Sequence, residues 1–464
     1  MKRICTVVSS EQPEMGSVVE NTKWESQYER QGWELFRCRG QVPADSLLDP
    51  DHLLLLPEIS PQNQDNKSFM SQVLFTKDLR GVRAIRKTLG ELSGIIYQKV
   101  RAYLLFHGID TLHVDNLLSY PFCFPFAAAV AKLIEHDNIA VVARDHDFLW
   151  DDIPEPSLAM SMLAEDYLFP AHPRVLHVTL TEYSTSELAR RRHGVTTQTI
   201  PNLFSFDIQP DRHRPAEFRS WLGLSQDDLL ILQPTRLTPW KGIHHAVQLA
   251  AMLGLETGRR PFVVVTGRSI GGFGITDSWQ RYELALEALA NQLGIGFLKL
   301  ERRLASCRYP EHPSGFCMTD AYLAADLVTF PSTIEGFGNP VIESIAAKRP
   351  LFTARYPVMK REFLARGLEF VCVDADPVPA ILEFVLDRES SPDRGMGGDF
   401  DITQRRIQPE HVKATLDLLV GRAPHRNAIL DRNWQIAFTY YSDRPHVVQH
   451  YFSPLVEWIS TGVT

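Results

Sequence analysis

Short runs of β-branched and apolar residues alternate along the chain with longer segments whose apolar positions recur every three or four residues. That alternation predicts parallel βαβ units. In the first half the strand runs are Ile4–Ser9, Thr111–Val114, Ile139–Ala143, Val175–Thr181 and Thr197–Ile200. Amphipathic helices are predicted over Leu79–Phe106 and Phe124–His136, and a third over Ser184–His193 stops at Gly194. The charged stretch Phe206–Pro215, with Pro210 and Pro215, reads as a connection. The alternation then restarts with strands at Leu229–Gln233, Pro261–Thr266, Ala325–Phe330, Leu351–Ala354 and Phe370–Val373. Helices are predicted to begin near Gly242 and to cover Ser278–Leu293 and Pro340–Ala347. The proline- and glycine-bearing segment Asp387–Asp399 reads as a flexible loop. The expected class is α/β: two Rossmann-like doubly wound domains, 1–205 and 206–442, facing a cleft at the carboxyl ends of their strands. The tail 443–464 carries Val447, Val448, Tyr451, Phe452, Leu455, Trp458 and Ile459 in a helical pattern.

The 464 residues exceed what one hydrophobic core organises, which supports two domains. A formal charge of -8 gives the whole molecule no electrostatic footprint for nucleic acid or an anionic membrane. The six cysteines are scattered, with no Cys-x-x-Cys pair, which argues against a disulfide framework or a structural zinc site. The opening residues are too polar for a secretory signal and read as the first strand. The most apolar stretch, Leu117–Ala131, is broken by Pro121 and Pro125 and falls short of the ~20 residues a membrane span needs. A cytoplasmic protein is the expectation. The cations of the helix 79–106 (Arg80, Arg83, Arg86, Lys87, Lys99, Arg101) read as a solvated face, with peripheral membrane contact as the alternative.

Three segments carry candidate chemistry. The first runs Thr329-Phe-Pro-Ser-Thr-Ile-Glu335-Gly-Phe-Gly-Asn-Pro-Val-Ile-Glu343. A buried strand leads into a turn with two glycines and then a helix, with Asn339 as its expected N-cap and Pro340 at its first position. Glycines let a ligand approach the backbone, and the helix start offers free amides and partial positive charge, which suits a phosphate. Glu335 and Glu343 flank the turn, and carboxylates accept hydrogen bonds from sugar hydroxyls. The second segment, Gln233-Pro-Thr-Arg236-Leu-Thr-Pro-Trp-Lys241-Gly242, places two cations at a strand end just before a helix. Cations there oppose the helix dipole, so an anionic ligand is implied. The third, Ile139-Ala-Val-Val-Ala-Arg-Asp145-His146-Asp147-Phe-Leu-Trp150, puts a histidine after a strand of the first half.

The Asp320–Arg355 region resembles the Glu-x7-Glu motif of family 4 of the retaining glycosyltransferases, which have the GT-B fold; the rest of the chain is similar more loosely. The resemblance implies transfer of a hexose from a UDP- or GDP-sugar to the hydroxyl of a small polyhydroxylated or sugar acceptor, without a metal or other cofactor. By the same resemblance, Glu335 lies by the donor hexose, Glu343 binds the ribose, and Arg236 and Lys241 grip the diphosphate. The amides of Phe337, Gly338 and Asn339 line the hexose and diphosphate pocket, and His146 comes close to the hexose. Pro340 has no amide hydrogen, so Asn339 and Val341 are expected to supply the phosphate contact there. Gly16 resembles the acceptor loop, with one glycine where the family normally has two. The tail helix is expected to cross back onto the first domain. Three other readings stay open: a glycoside phosphorylase of the same fold, a transferase acting on a lipid-linked acceptor, and a metal site at Asp145 and Asp147. The loop Gly267–Gly274 does not fit a dinucleotide fingerprint and is expected to border the donor site.

Overall fold

The structure is a computed structural model, described for residues 2–10, 16–43, 46–153, 155–208, 213–267, 276–300, 304, 315–386, 400–404, 406–421 and 423–461. The expected loop 387–399 lies outside the described residues, as does the glycine-rich loop beyond Gly267. The chain divides into two compact units: Met1–Pro201 with Gln449–Thr464, and Asn202–Val448. Among the described residues no helix is long and apolar enough to cross a membrane.

The first unit holds seven parallel strands: β1 (Arg3–Val8), β2 (Glu34–Arg39), β3 (Leu53–Leu55), β4 (Thr111–Asp115), β5 (Ala140–Asp145), β6 (Val175–Thr179) and β7 (Thr196–Thr199). Their order is β3-β2-β1-β4-β5-β6-β7, so the winding reverses between β1 and β4. The strands β4, β5 and β6 are buried along their whole length, with the polar residues His113, Asp115, Arg144, Asp145 and His177 buried among the apolar ones. The long helix Leu79–His107 buries Val82, Ile85, Leu89, Ile96, Val100 and Leu104 on one face. On its outer face Arg86 pairs with Asp166 at 2.5 Å, Arg101 with Asp137 at 2.6 Å and Lys99 with Glu58. The helix Pro445–Thr461 contributes to this unit from Gln449 onward: Phe452 packs its ring on Trp24 at 4.7 Å, and the Tyr451 carbonyl accepts from Gln198 at 2.7 Å.

The second unit holds six parallel strands: β8 (Leu229–Gln233), β9 (Pro261–Val265), β10 (Gly296–Lys299), β11 (Leu327–Phe330), β12 (Leu351–Ala354) and β13 (Val371–Val373). The order β10-β9-β8-β11-β12-β13 puts the reversal between β8 and β11. In doubly wound sheets, ligands sit outside the carboxyl ends of the strands that flank such a reversal. The helix Ile243–Thr257 lies over this sheet with Ile243, Ala246, Val247, Ala250 and Leu253 fully buried in one core with Leu229, Ile231, Val263 and Val265.

Candidate active site

The two signature segments of the second unit leave adjacent strands, β8 and β11, at the winding reversal. Their contact is made by backbone. Gly242 ends the short turn Pro239–Lys241 with φ 58° and opens the helix Ile243–Thr257. A β-carbon on Gly242 would lie 2.2 Å from the Pro331 carbonyl oxygen, so only glycine fits. The Thr333 amide donates to the Trp240 carbonyl at 2.9 Å. Beneath them the fully buried Gln233 side chain joins the strands, accepting from the Thr329 hydroxyl at 2.7 Å and donating to the Thr235 hydroxyl at 3.1 Å and the Lys241 carbonyl at 3.3 Å.

This scaffold brings Lys241 Nζ to 2.6 Å from Glu335 Oε1, both side chains about 15% exposed. The pairing joins two residues that the sequence reading gave to different parts of a ligand. Arg236 is exposed, and its guanidinium has no protein partner among the described residues. At the turn Gly338 has φ 109°, and a β-carbon there would meet the Tyr356 hydroxyl at 2.4 Å. Burial, and then Glu335, push the Tyr356 phenol well above its usual range; it stays protonated and donates to the Phe337 carbonyl at 3.2 Å. The Phe337 ring is buried against Phe363 and Tyr441, which fixes the turn from behind. Gly338, and not Asn339 as expected, is the N-cap of the helix Asn339–Ala346, because only glycine takes its φ without strain. Asn339 is the first helical residue, and its side-chain oxygen accepts from Asn202 at 2.8 Å.

Val341 also departs from expectation. Its amide donates to the Gly338 carbonyl at 2.9 Å and its side chain is buried, so it has no free donor for a phosphate. Among the described residues, the amides of Phe337, Gly338 and Asn339 meet no protein acceptor. A helix start with open amides, an unpaired arginine and a lysine facing a single carboxylate makes an anion-binding surface. Five residues past the cap, Glu343 accepts from the Tyr322 hydroxyl at 2.5 Å. Burial, and then Glu343, push the Tyr322 phenol well above its usual range, so it remains the donor. The sequence reading missed Tyr322, Tyr356 and Gln233; only Gln233 stood inside a quoted motif.

His146 and Gly16 belong to the first unit. Gly16 is the first residue of the helix Gly16–Arg30. His146 follows β5, with Nε2 at 3.0 Å from Asp115 Oδ1. Burial alone would raise the Asp115 pKa, but His146 and Arg144 outweigh it and hold the carboxyl down at about 2. Asn116, at φ 56°, accepts from the amides of His146 at 3.0 Å and Asp147 at 3.1 Å and donates to the Asp147 carboxylate at 2.9 Å. Asp145 turns inward to His177 at 2.7 Å, so the Asp145/Asp147 pair is spent on separate protein partners.

Residues 216–378 match the family described as Glycosyl transferases group 1. The second unit is therefore similar to the group 1 glycosyl transferases. The matched segment covers β8 to β13 of the second unit, including both signature loops. Among similar proteins, the mannosylglucosylglycerate synthase of Petrotoga mobilis is 28% identical over 57% of this chain. That alignment covers 63% of the Petrotoga protein, just under two thirds of its length. The mannosylglucosylglycerate synthase of Thermotoga maritima is 27% identical over 68% of this chain and 74% of its own. The sucrose-phosphate synthase of Thermosynechococcus elongatus superposes with a TM-score of 0.63 at 14% identity, covering 99% of both chains. Two parallel doubly wound units and this likeness show the GT-B fold, as the family resemblance implied.

Proposed function

We propose that this protein is a glycosyl transferase that moves a hexosyl residue from a nucleoside-diphosphate sugar to a hydroxyl of a small sugar or sugar-acid acceptor, with retention at the anomeric carbon. The observation that carries the reading is the glycine turn 335–339, with its open amides beside Lys241 and Arg236. When the bond from the anomeric carbon to the leaving phosphate breaks, negative charge develops on the diphosphate. The turn amides, Arg236 and Lys241 stabilise that charge with fixed donors, so no divalent metal is required. The acceptor oxygen forms the new bond on the face the phosphate leaves, and its proton passes to a β-phosphate oxygen. Glu335 is released from Lys241 as the diphosphate takes its place and then accepts from the hexose hydroxyls. Glu343, held by Tyr322, accepts from the ribose. The small acceptor is supported by the two relatives named mannosylglucosylglycerate synthases.

The test is a panel of UDP- and GDP-hexoses. A nucleotide sugar that binds the native state raises its apparent melting temperature. With glucosylglycerate and related sugar acids as acceptors, transfer is expected to continue in excess EDTA and to keep the anomeric configuration of the donor by proton NMR. Loss of turnover on EDTA that metal restores, or an inverted product, overturns the mechanism.

A further inference from the structure

The opposite edge of the second sheet holds a cavity of about 490 Å³, a volume suited to a small molecule. Its walls come from the residues that precede β9, β11 and β12 (Arg259, Asp326, Lys348 and Arg349) and from the helix Ala423–Tyr441, which brings Arg426 and Asp431. The catalytic turn leaves the other ends of these strands. We propose that this cavity is a second ligand site, for a phosphorylated small molecule.

The charge balance leads to that chemistry. Asp326 is already held by Arg219 at 2.7 Å and Arg259 at 2.9 Å, and Asp431 by Lys348 at 2.6 Å. Among the described residues, neither Arg349 nor Arg426 reaches a carboxylate within ion-pair distance. Arg426 donates only to the Leu419 carbonyl at 3.2 Å and the Asn427 side chain at 3.4 Å. Arg349 donates to the Ala325 carbonyl at 3.3 Å, and its Nε is buried with no acceptor. A buried guanidinium nitrogen without an acceptor is unfavourable, and an oxyanion against the part of the same guanidinium that lines the cavity offsets that cost. Burial holds the Arg349 guanidinium below its usual range, and an anion reverses that pressure.

The backbone gives a separate indication. Lys348 has φ 52°, a left-handed conformation that favours glycine. It stands just past the helix Asn339–Ala346, where the Arg349 amide bonds the Ser344 carbonyl at 2.8 Å. Helices closed in this way normally carry glycine at that position. The chain instead holds a strained lysine there, on the rim of the cavity. Two arginines without carboxylate partners among the described residues suit a group with three free oxygens better than a carboxylate, which has two. The same helix has the donor turn at its other end, about 12 Å away, so occupancy of the cavity acts directly on the element that carries Glu343.

The experiment measures thermal shift of the full chain against inorganic phosphate, with sodium acetate at matched ionic strength as control. The expected result is a saturable stabilisation by phosphate and none by acetate. The double variant Arg236→Gln/Lys241→Gln, altered only at the donor turn, retains it. Arg426→Gln raises the half-saturating phosphate concentration by about tenfold, the loss of one charge-assisted bond. Arg349→Gln does the same or more, and Arg426, at the rim, keeps the test valid if Arg349→Gln fails to fold. Lys348→Gly melts higher than wild type without phosphate and binds it more weakly. An equal shift with acetate, a shift unchanged in Arg426→Gln, or a shift lost in the donor-turn double variant overturns the proposal. The last outcome assigns the phosphate to the transferase site and leaves the proposed function standing.

Discussion

The carboxyl ends of the two sheets differ in how their polar groups are used. At the first, Asn116 bonds the amides of His146 and Asp147 and the Asp147 carboxylate, His146 lies 3.0 Å from Asp115, and Asp145 is paired with His177. At the second, among the described residues, the amides of Phe337–Asn339 and the Arg236 guanidinium have no protein acceptor, and the ion pair Lys241–Glu335 joins opposite charges that an incoming anion would separate. Each edge needs a residue in the left-handed region, and each meets that need differently. The first uses Asn116, whose side chain repays the strain with four hydrogen bonds; the second uses Gly242, which has no side chain because a carbonyl oxygen occupies the space. A network satisfied by its own side chains holds a residue in place. One built from backbone proximity holds an open surface.

The largest effect should come from Gly242→Ala. Its methyl would lie 2.2 Å from the Pro331 oxygen at a φ of 58°, so the two loops must separate. We expect a loss of about 3 kcal/mol or more in chemical denaturation, with nucleotide affinity lost as well. The matching change at the first edge, Asn116→Gly, keeps the backbone freedom and should leave nucleotide affinity intact. If Gly242→Ala were as stable as wild type, the account of a backbone-built surface would fail.

Acid should reveal the closed character of the first edge next. His113, fully buried in β4 beside Asp115, has Nδ1 at 2.7 Å from the Tyr28 hydroxyl. Burial disfavours its imidazolium and, despite Asp115, lowers its pKa to about 3. Between pH 6.5 and 3 the unfolded chain therefore binds a proton that the folded unit refuses. The contribution of His113 is complete above pH 6.5 and is lost as pH falls through that window. From pH 7.5 to 5.0 this amounts to about 2 kcal/mol. Denaturant titrations at both pH values should show that difference in wild type and a smaller one in His113→Gln. Equal pH dependence in the two proteins would mean that His113 titrates freely.

Much of this architecture is legible in the sequence, for a physical reason. Parallel strands buried on both faces carry apolar runs, so β1, β5, β8, β9, β11 and β12 stand out. The strand β2 does not, because Arg37 and Arg39 interrupt its run. Arg39 is nevertheless fully buried, paired with Glu25 from the helix Gly16–Arg30 and bonded to the Thr6 carbonyl. No local pattern announces a charge that is neutralised from another element. The same holds at the site. Glu335, Glu343, Arg236 and Lys241 sit in motifs whose spacing carries meaning. Tyr322 and Asn116 act through contacts 21 and 30 residues away in sequence, to Glu343 and His146, which only the fold creates. The N-cap was misplaced by one residue because Asn is the better capping side chain, whereas the close approach of Tyr356 to Gly338 demanded glycine.

The smallest effect should sharpen the contrast from within the second unit, at a proposed donor contact that a buried tyrosine already hydrogen-bonds. Tyr322→Phe removes the donor at 2.5 Å to Glu343 and leaves the buried ring in place. If Glu343 accepts from the ribose, losing this support loosens its carboxylate without removing it. Nucleoside diphosphate should then bind about three- to tenfold more weakly, within the roughly 0.5–1.5 kcal/mol of an ordinary hydrogen bond. Glu343→Ala should exceed this, because it removes the acceptor itself. Titration calorimetry with UDP and GDP on the three proteins would order them. The decisive comparison is wild type against Tyr322→Phe at constant melting temperature. Equal affinity would show that the tyrosine only fills the core, and that the second edge needs no side-chain support for its open surface.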